Sequence, residues 1–181
     1  MKNKAVFIDR DGVINDLLET EEGTISPRVF EKFKIRNDVP DAIEIFKELR
    51  LKIVVVSNQP DISKGKMDEN ELRKMTEKMT RELRIDLFLF CPHHPKFSGE
   101  CDCRKPKDGM LKKAQEELNI DIGNSYMIGD SSSDIEAGSK CKTKILIKGF
   151  YSSNPRKVEP DYFAGNLLEA AKIVEKLEGL K

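Results

Sequence analysis

Short apolar runs alternate along the chain with longer segments in which apolar residues recur every three or four positions. Ala5 to Asp9, Lys52 to Ser57, Asp86 to Cys91, Tyr126 to Gly129 and Lys144 to Ile147 are rich in Val, Ile, Leu or Phe and bounded by polar or glycine residues, the pattern of buried strands. Between and after them, Pro40 to Leu49, Asp68 to Leu83, Gly109 to Leu118, Ser133 to Ser139 and Asn166 to Leu177 read as helices. In the second of these, Leu72, Met75 and Met79 stand among charged neighbours as the stripe of a helix lying on a sheet. The alternation predicts an α/β fold with a mainly parallel sheet. Asp16 to Arg36 has little regular pattern and reads as a loop or a small hairpin over the strand ends. No repeat, low-complexity tract or linker interrupts the series, so residues 1–181 are expected to form a single domain.

With 181 residues and 38% hydrophobic content, the chain is long enough to bury one core. Lysine plus arginine and aspartate plus glutamate number 32 each, so no overall charge favours nucleic acid or a membrane as partner. Electrostatics that matter must be local. Met1-Lys2-Asn3-Lys4 runs into a strand-like segment too brief for a signal-peptide core, and no apolar run approaches the roughly 20 residues of a membrane helix. A cytoplasmic protein is expected. Four cysteines, three of them between 91 and 103, are too clustered for a disulfide scaffold and suit a metal site in a reducing compartment.

In a parallel α/β sheet the ligand crevice opens beyond the carboxyl ends of the strands, so the polar residues following each run belong together. They are Asp9 and Asp11 in "DRDGVIN", Ser57-Asn58-Gln59, the cysteines and histidines from 91 onward, and Gly129-Asp130. Burying neighbouring carboxylates is costly unless a cation receives them, whereas "DRDG" alone is also compatible with an acidic surface turn. Three aspartates, Asp9, Asp11 and Asp130, converging on one crevice favour magnesium, which prefers oxygen ligands. Cys91-x-His93 with Cys101-x-Cys103 supplies a complete tetrahedral set for zinc with no vacant position, which argues a structural metal; three buried thiols without metal are the alternative. Such a site would pin the loop that carries Arg104 and Lys105 toward the crevice. His94 is expected to face solvent or stand behind the metal ligands, and Cys141 to be an inert small hydrophobe.

The ordered series "FIDRDGVIN" (7 to 15), "VVVSNQ" (54 to 59), "CRKPK" (103 to 107) and "MIGDSSSD" (127 to 134) resembles the four motifs of the haloacid dehalogenase superfamily over nearly the whole chain. With "CPHHP" (91 to 95), "CDCRKPKDGML" (101 to 111) and "SYMIGD" (125 to 130), it resembles more closely the heptose-bisphosphate phosphatases and their neighbours, the histidinol-phosphate phosphatases. The resemblance implies a Rossmann-like three-layer parallel sheet with no large cap domain and a zinc-stabilised loop. It implies magnesium-dependent phosphomonoester hydrolysis, most closely removal of the 7-phosphate of a heptose 1,7-bisphosphate. Asp9 would be the nucleophile and Asp11 the general acid and base. Asp9, the backbone carbonyl of Asp11, and Asp130 would hold the ion, leaving the Asp11 side chain free for proton transfer. Ser57, Asn58 and Lys105 would bind the phosphoryl group, Arg104 would face the substrate, and Asp134 would orient the ligands or Lys105. The implied partner is a small phosphorylated metabolite, acted on by a monomer.

The sequence also departs from that pattern. Pro60-Asp61 stands where these phosphatases usually have a small residue and glycine, Ser131 where they usually have lysine, and Leu17 to Thr20 lack the usual glycine-tyrosine pattern. These changes touch the substrate side of the crevice rather than the chemistry. Histidinol phosphate, another small sugar phosphate, and a catalytically silent binding module remain as alternatives.

Overall fold

The computed structural model describes residues 2–21, 23–148 and 159–179. In chain order its elements are β1 (Ala5–Ile8), β2 (Leu18–Thr20), β3 (Gly23–Ile25), α1 (Val39–Glu48), β4 (Lys52–Asn58), α2 (Glu69–Leu83), β5 (Leu87–Cys91), α3 (Pro95–Ser98), α4 (Gly109–Leu118), β6 (Tyr126–Gly129), α5 (Ser132–Ala137), β7 (Thr143–Ile147), β8 (Tyr162–Ala164) and α6 (Leu167–Leu177). Six strands pair in parallel in the order β5-β4-β1-β6-β7-β8, while β2 and β3 form a separate antiparallel hairpin. All four residues of β1 are buried, as a central parallel strand covered on both faces requires.

Alternate residues of each strand feed two cores. Val6, Ile8, Ile53, Val55 and Ile128 pack with the inward stripes of α1, α2 and α6, including Phe46, Met75 and Val174. Phe7, Val54, Val56 and Met127 pack on the opposite face with Met110, Leu111 and Ala114 of α4. The result is a three-layer α/β sandwich. Asp68 caps α2 by accepting the Asn70 N–H at 2.7 Å, and Asn166 caps α6 by accepting from Glu169 at 2.9 Å.

The chain lays β1, β4 and β5 toward one side, then returns to β6 and continues through β7 and β8 toward the other. The reversal falls between β1 and β6, where an open sheet leaves a crevice beyond the strand ends. The hairpin is the second of the two arrangements expected for 16–36. Strand β8 is not anticipated by the pattern, because three residues of which only Ala164 is buried give no apolar run. Helix α5 begins one residue early and ends two early relative to its sequence pattern, since the Asp134 carboxylate accepts both the Ser131 N–H (3.0 Å) and its hydroxyl (2.6 Å) at the helix start.

At the opposite end of the sheet, one acid ties the two central strands together. Glu178, just after α6, accepts from Lys4 at 2.7 Å and from the Tyr126 hydroxyl, with Lys142 at 3.3 Å. Burial works against its charge, but the hydrogen bonds from Lys4 and Tyr126 outweigh it and bring the carboxyl down to about 2. A depressed folded-state pKa contributes stability that is present above the ordinary value of 4.5 and lost as pH falls toward 2. Glu178→Gln is therefore expected to be less stable than the parent at pH 6, with the gap narrowing steadily between pH 4.5 and 2. Urea unfolding across that range measures it; a gap independent of pH would contradict the assignment.

Candidate active site

The backbone delivers two aspartates to the switch point. Asp9 directly follows β1, its N–H bonded to the Ile128 carbonyl of β6 at 2.9 Å, and Asp130 directly follows β6. Gly12 has φ +83°, and a Cβ there would lie 2.2 Å from Asp130 Oδ2, so only glycine lets the first loop close over the second aspartate. Oxygens of Asp9, Asp130 and Asp134 lie within 4.8 Å of one another. Lys105 reaches in from the loop before α4, its Nζ 2.6 Å from Asp9 Oδ1, 2.6 Å from Asp134 Oδ1 and 2.8 Å from the Val56 carbonyl. These groups line a cavity of about 240 Å³ with Asp11, Asn58, Ser131 and, from the hairpin side, Leu17, Thr24 and Ser26. A larger apolar groove of about 590 Å³ between α2 and β5 contains none of them.

Three buried carboxylates against one ammonium leave the cluster short of positive charge. Burial pushes Asp9 above the ordinary carboxylate range, and the charges of Asp134 and Asp11 add to the rise against the pull of Lys105. Asp130 is raised likewise, first by burial and then by Asp9 and Asp134. Burial opposes the charge on Lys105, but Asp134 and Asp9 outweigh it and hold the ammonium above the ordinary lysine range. Asp134 Oδ1 is buried, with the Lys105 ammonium 2.6 Å away as its partner. Hard oxygen donors and surplus negative charge in a buried space fit a divalent cation of the magnesium type.

Asp11 stands outside that cluster. Its carboxylate accepts from Arg10 Nε (3.1 Å) and Nη2 (2.8 Å to each oxygen), from Asn15 Nδ2 (3.1 Å) and from Gln59 Nε2 (2.7 Å). The family resemblance implied a free side chain; a fully buried arginine needs a counter-charge, and Asp11 supplies it. Arg10, whose Cζ also lies 5.8 Å from the Phe33 ring centroid, is thus the residue that reading along the chain overlooks. The signal was in "DRD" itself, a cation wedged between two acids.

Ser57 is buried, and its hydroxyl accepts from Gln59 Nε2 at 2.7 Å. Asn58 is committed to the backbone of Lys105, donating to its carbonyl and accepting from its N–H, both at 3.0 Å. It therefore fixes the lysine while lining the crevice. Arg104 donates to the His93 carbonyl at 3.1 Å rather than lining the cavity.

Cys91, His93, Cys101 and Cys103 meet as the spacing suggested. Their sulfurs are 3.0–3.5 Å apart, with His93 Nδ1 3.4 Å from Cys103 and 3.6 Å from Cys91. Tetrahedral zinc with ~2.3 Å bonds to sulfur gives edges of about 3.8 Å, close to this arrangement. All four cysteines are free thiols, and burial pushes Cys91 well above its usual range, where a soft cation would make it a ligand. The loop is packed tightly against α4, since a Cβ on Gly109 would fall 2.2 Å from the Asp102 carbonyl oxygen. His94 takes no part in the cluster; it caps α3, accepting the Lys96 N–H at 3.2 Å. Cys141 is buried in the second core.

The family model of polynucleotide kinase 3 phosphatase matches residues 6–158. The D-glycero-beta-D-manno-heptose-1,7-bisphosphate 7-phosphatase of Haemophilus influenzae is 34% identical over 188 residues, 97% of this chain and 99% of its own. Its namesake from Yersinia pestis is 38% identical over 156 residues, 80% of each chain. The structure of D,D-heptose 1,7-bisphosphate phosphatase from B. bronchiseptica, complexed with magnesium and phosphate, shares the fold with a TM-score of 0.76 at 22% identity, covering 96% of this chain and 99% of that one. On sequence similarity extending over nearly its whole length, the chain belongs to the D-glycero-beta-D-manno-heptose-1,7-bisphosphate 7-phosphatase family of the haloacid dehalogenase superfamily.

Proposed function

We propose that the chain is a magnesium-dependent phosphomonoesterase that removes the 7-phosphate of D-glycero-D-manno-heptose 1,7-bisphosphate through an aspartyl-phosphate on Asp9. The observation that carries this reading is the Lys105 ammonium held 2.6 Å from Asp9 inside a buried carboxylate cluster. A binding module needs a cation for its phosphate; it has no need of a carboxylate in attacking position beside that cation. The relatives named for heptose 1,7-bisphosphate favour that substrate over histidinol phosphate. With 32 basic against 32 acidic residues, the chain offers no excess charge for the polynucleotide that the family model's name suggests.

Asp9, Asp130 and the Asp11 carbonyl would hold magnesium, with Asp134 beside them. When bound, the ion neutralises charge on the phosphoryl oxygens and keeps Asp9 ionised. An Asp9 oxygen attacks phosphorus as the bond to the sugar oxygen breaks, and Asp11 gives that oxygen its proton. Asp11 then takes a proton from water, whose oxygen bonds to phosphorus while the bond to Asp9 breaks. Lys105 compensates charge on the transferring group and Ser57 and Asn58 set the loop beneath it; Arg104, bonded to the His93 carbonyl, would have to turn from it to serve the substrate side. To act as an acid, Asp11 must first exchange its ion pair with Arg10 for a proton taken from solvent, which also frees its carboxyl to turn toward the leaving oxygen. Cys91, His93, Cys101 and Cys103 would hold zinc and keep Lys105 aimed. We read the protein as one cytoplasmic, monomeric domain acting on a small metabolite; no described helix is long and apolar enough to cross a membrane.

Asp9→Asn is expected to abolish phosphate release while preserving the fold, and Asp11→Asn to slow it by about 10² or more, as loss of a general acid and base does. Steady-state assays with heptose 1,7-bisphosphate check both; near-normal turnover by Asp9→Asn would refute the nucleophile.

The two metals should separate by lability. Activity is expected to disappear with a mild chelator and return with magnesium, whereas zinc should co-purify near one ion per chain and resist that treatment. Elemental analysis of reduced protein tests this, and absence of zinc would exclude the assignment of the cysteine and histidine cluster.

A further inference from the structure

The sheet ends at β5, which pairs with β4 on one side and, among the described residues, with no strand on the other. Its five residues, Leu87-Phe88-Leu89-Phe90-Cys91, contain neither a charge nor a proline, the devices that ordinarily keep an edge strand from pairing. The opposite edge, β8, is only three residues long. The Asp86 N–H is bonded to the Ile53 carbonyl of β4 at 2.9 Å, so by the alternation of a parallel ladder Leu87 and Leu89 turn their N–H groups and carbonyls outward. Beside this edge runs the apolar groove of about 590 Å³, lined by Phe88 and Phe90, whose rings stack with centroids 5.9 Å apart. Phe90 is 38% exposed.

The other wall of the groove is α2. Glu69, Arg73, Glu77 and Arg81 follow one another along it at four-residue steps, all exposed and all lining the groove. Read in reverse, the series is the same with every sign exchanged. Two such helices running antiparallel set Glu69 against Arg81 and Arg73 against Glu77, and do so twice. Arg73 and Glu77 also pair within the helix at 2.8 Å, but with side chains 63% and 59% exposed each has room for a second partner. A two-fold axis at the sheet edge makes the helices antiparallel and the edge strands antiparallel together.

We propose that β5 and α2 form the interface between two copies of this chain, related by a two-fold axis at Leu89. The pairing lets the two Leu89 residues exchange both backbone hydrogen bonds and sets Phe88 of each copy opposite Phe90 of the other, in the non-hydrogen-bonded positions where side chains stand closest. The two grooves merge over four phenylalanines, and the helix charges close the sides. A peptide would use the edge and the aromatic rings but has no need of a helix complementary in charge to itself; a second copy supplies that complement at every position. No residue lining the groove lines the catalytic crevice, so each copy keeps a complete site. The monomeric reading above holds for catalysis, which needs one copy, and not for assembly.

Sedimentation equilibrium over a dilution series up to about 100 μM, a range that covers micromolar dissociation constants, measures the assembly. The wild type should reach the mass of two chains. Glu77→Arg and Arg73→Glu each bring like charges together twice in a homodimer, and Phe90→Lys places an ammonium on the aromatic contact; each should raise the dissociation constant by about tenfold or more. All three change exposed side chains, and thermal unfolding confirms that each variant is folded. An equal mixture of Glu77→Arg and Arg73→Glu restores both opposite-charge pairs and should regain the two-chain mass at concentrations where each alone is a single chain. A wild-type mass of one chain throughout the series overturns the proposal and assigns the groove to a peptide or a different protein. A two-chain mass unmoved by all three variants, or a mixture no heavier than its components, overturns it by placing the contact on another face.

Discussion

Everything at the switch point is arranged around an imbalance of charge: Asp9, Asp130 and Asp134 are gathered in a buried space with Lys105 as their close counter-ion. Like charges this near one another raise each other's pKa, and burial raises it further. A protein holds such a cluster only if the surrounding fold fixes it. Here the fixing is covalent and local on one side, because Asp9 and Asp130 are the residues immediately after two paired parallel strands. On the other side it is long-range, because Lys105 depends on Asn58 and on a loop gathered by four metal-ligand-type side chains.

The same constraint explains the neighbourhood. Asp11 sits two residues from Asp9 yet does not join the cluster, because the buried Arg10 draws its carboxylate aside. Gly12 lets the loop close over Asp130, and Ser131 binds the far oxygen of Asp134, so that only its near oxygen faces the cluster.

Much of this was legible in the chain. The parallel sheet and its helices follow from apolar periodicity, and the strand-end rule collects Asp9, Asp11, Asn58 and Asp130 without knowledge of distance. The spacing of Cys91, His93, Cys101 and Cys103 likewise predicts their meeting. What the chain concealed depends on side-chain direction and long-range approach. Arg10 alternates with two acids in sequence, yet turns inward to one of them. Lys105 meets Asp9 across 96 positions, a contact no local pattern encodes and only the motif resemblance suggested. Arg28 and Asp61 lie in segments that matched no pattern at all, and their pairing emerges only from the folding of the hairpin segment toward the loop after β4. Strand β8 was hidden by its brevity.

We propose that Asp9, poised beside Lys105, takes the phosphoryl group itself. Turnover of heptose 1,7-bisphosphate quenched in acid, followed by borohydride reduction and peptide mapping by mass spectrometry, tests this at the level of the bond. An acyl phosphate at Asp9 would be reduced to homoserine, and the account predicts homoserine at position 9 in turning-over protein and at no other aspartate. Homoserine at Asp11 or Asp130, or steady phosphate release with residue 9 unmodified under conditions that trap acyl phosphates, would contradict it.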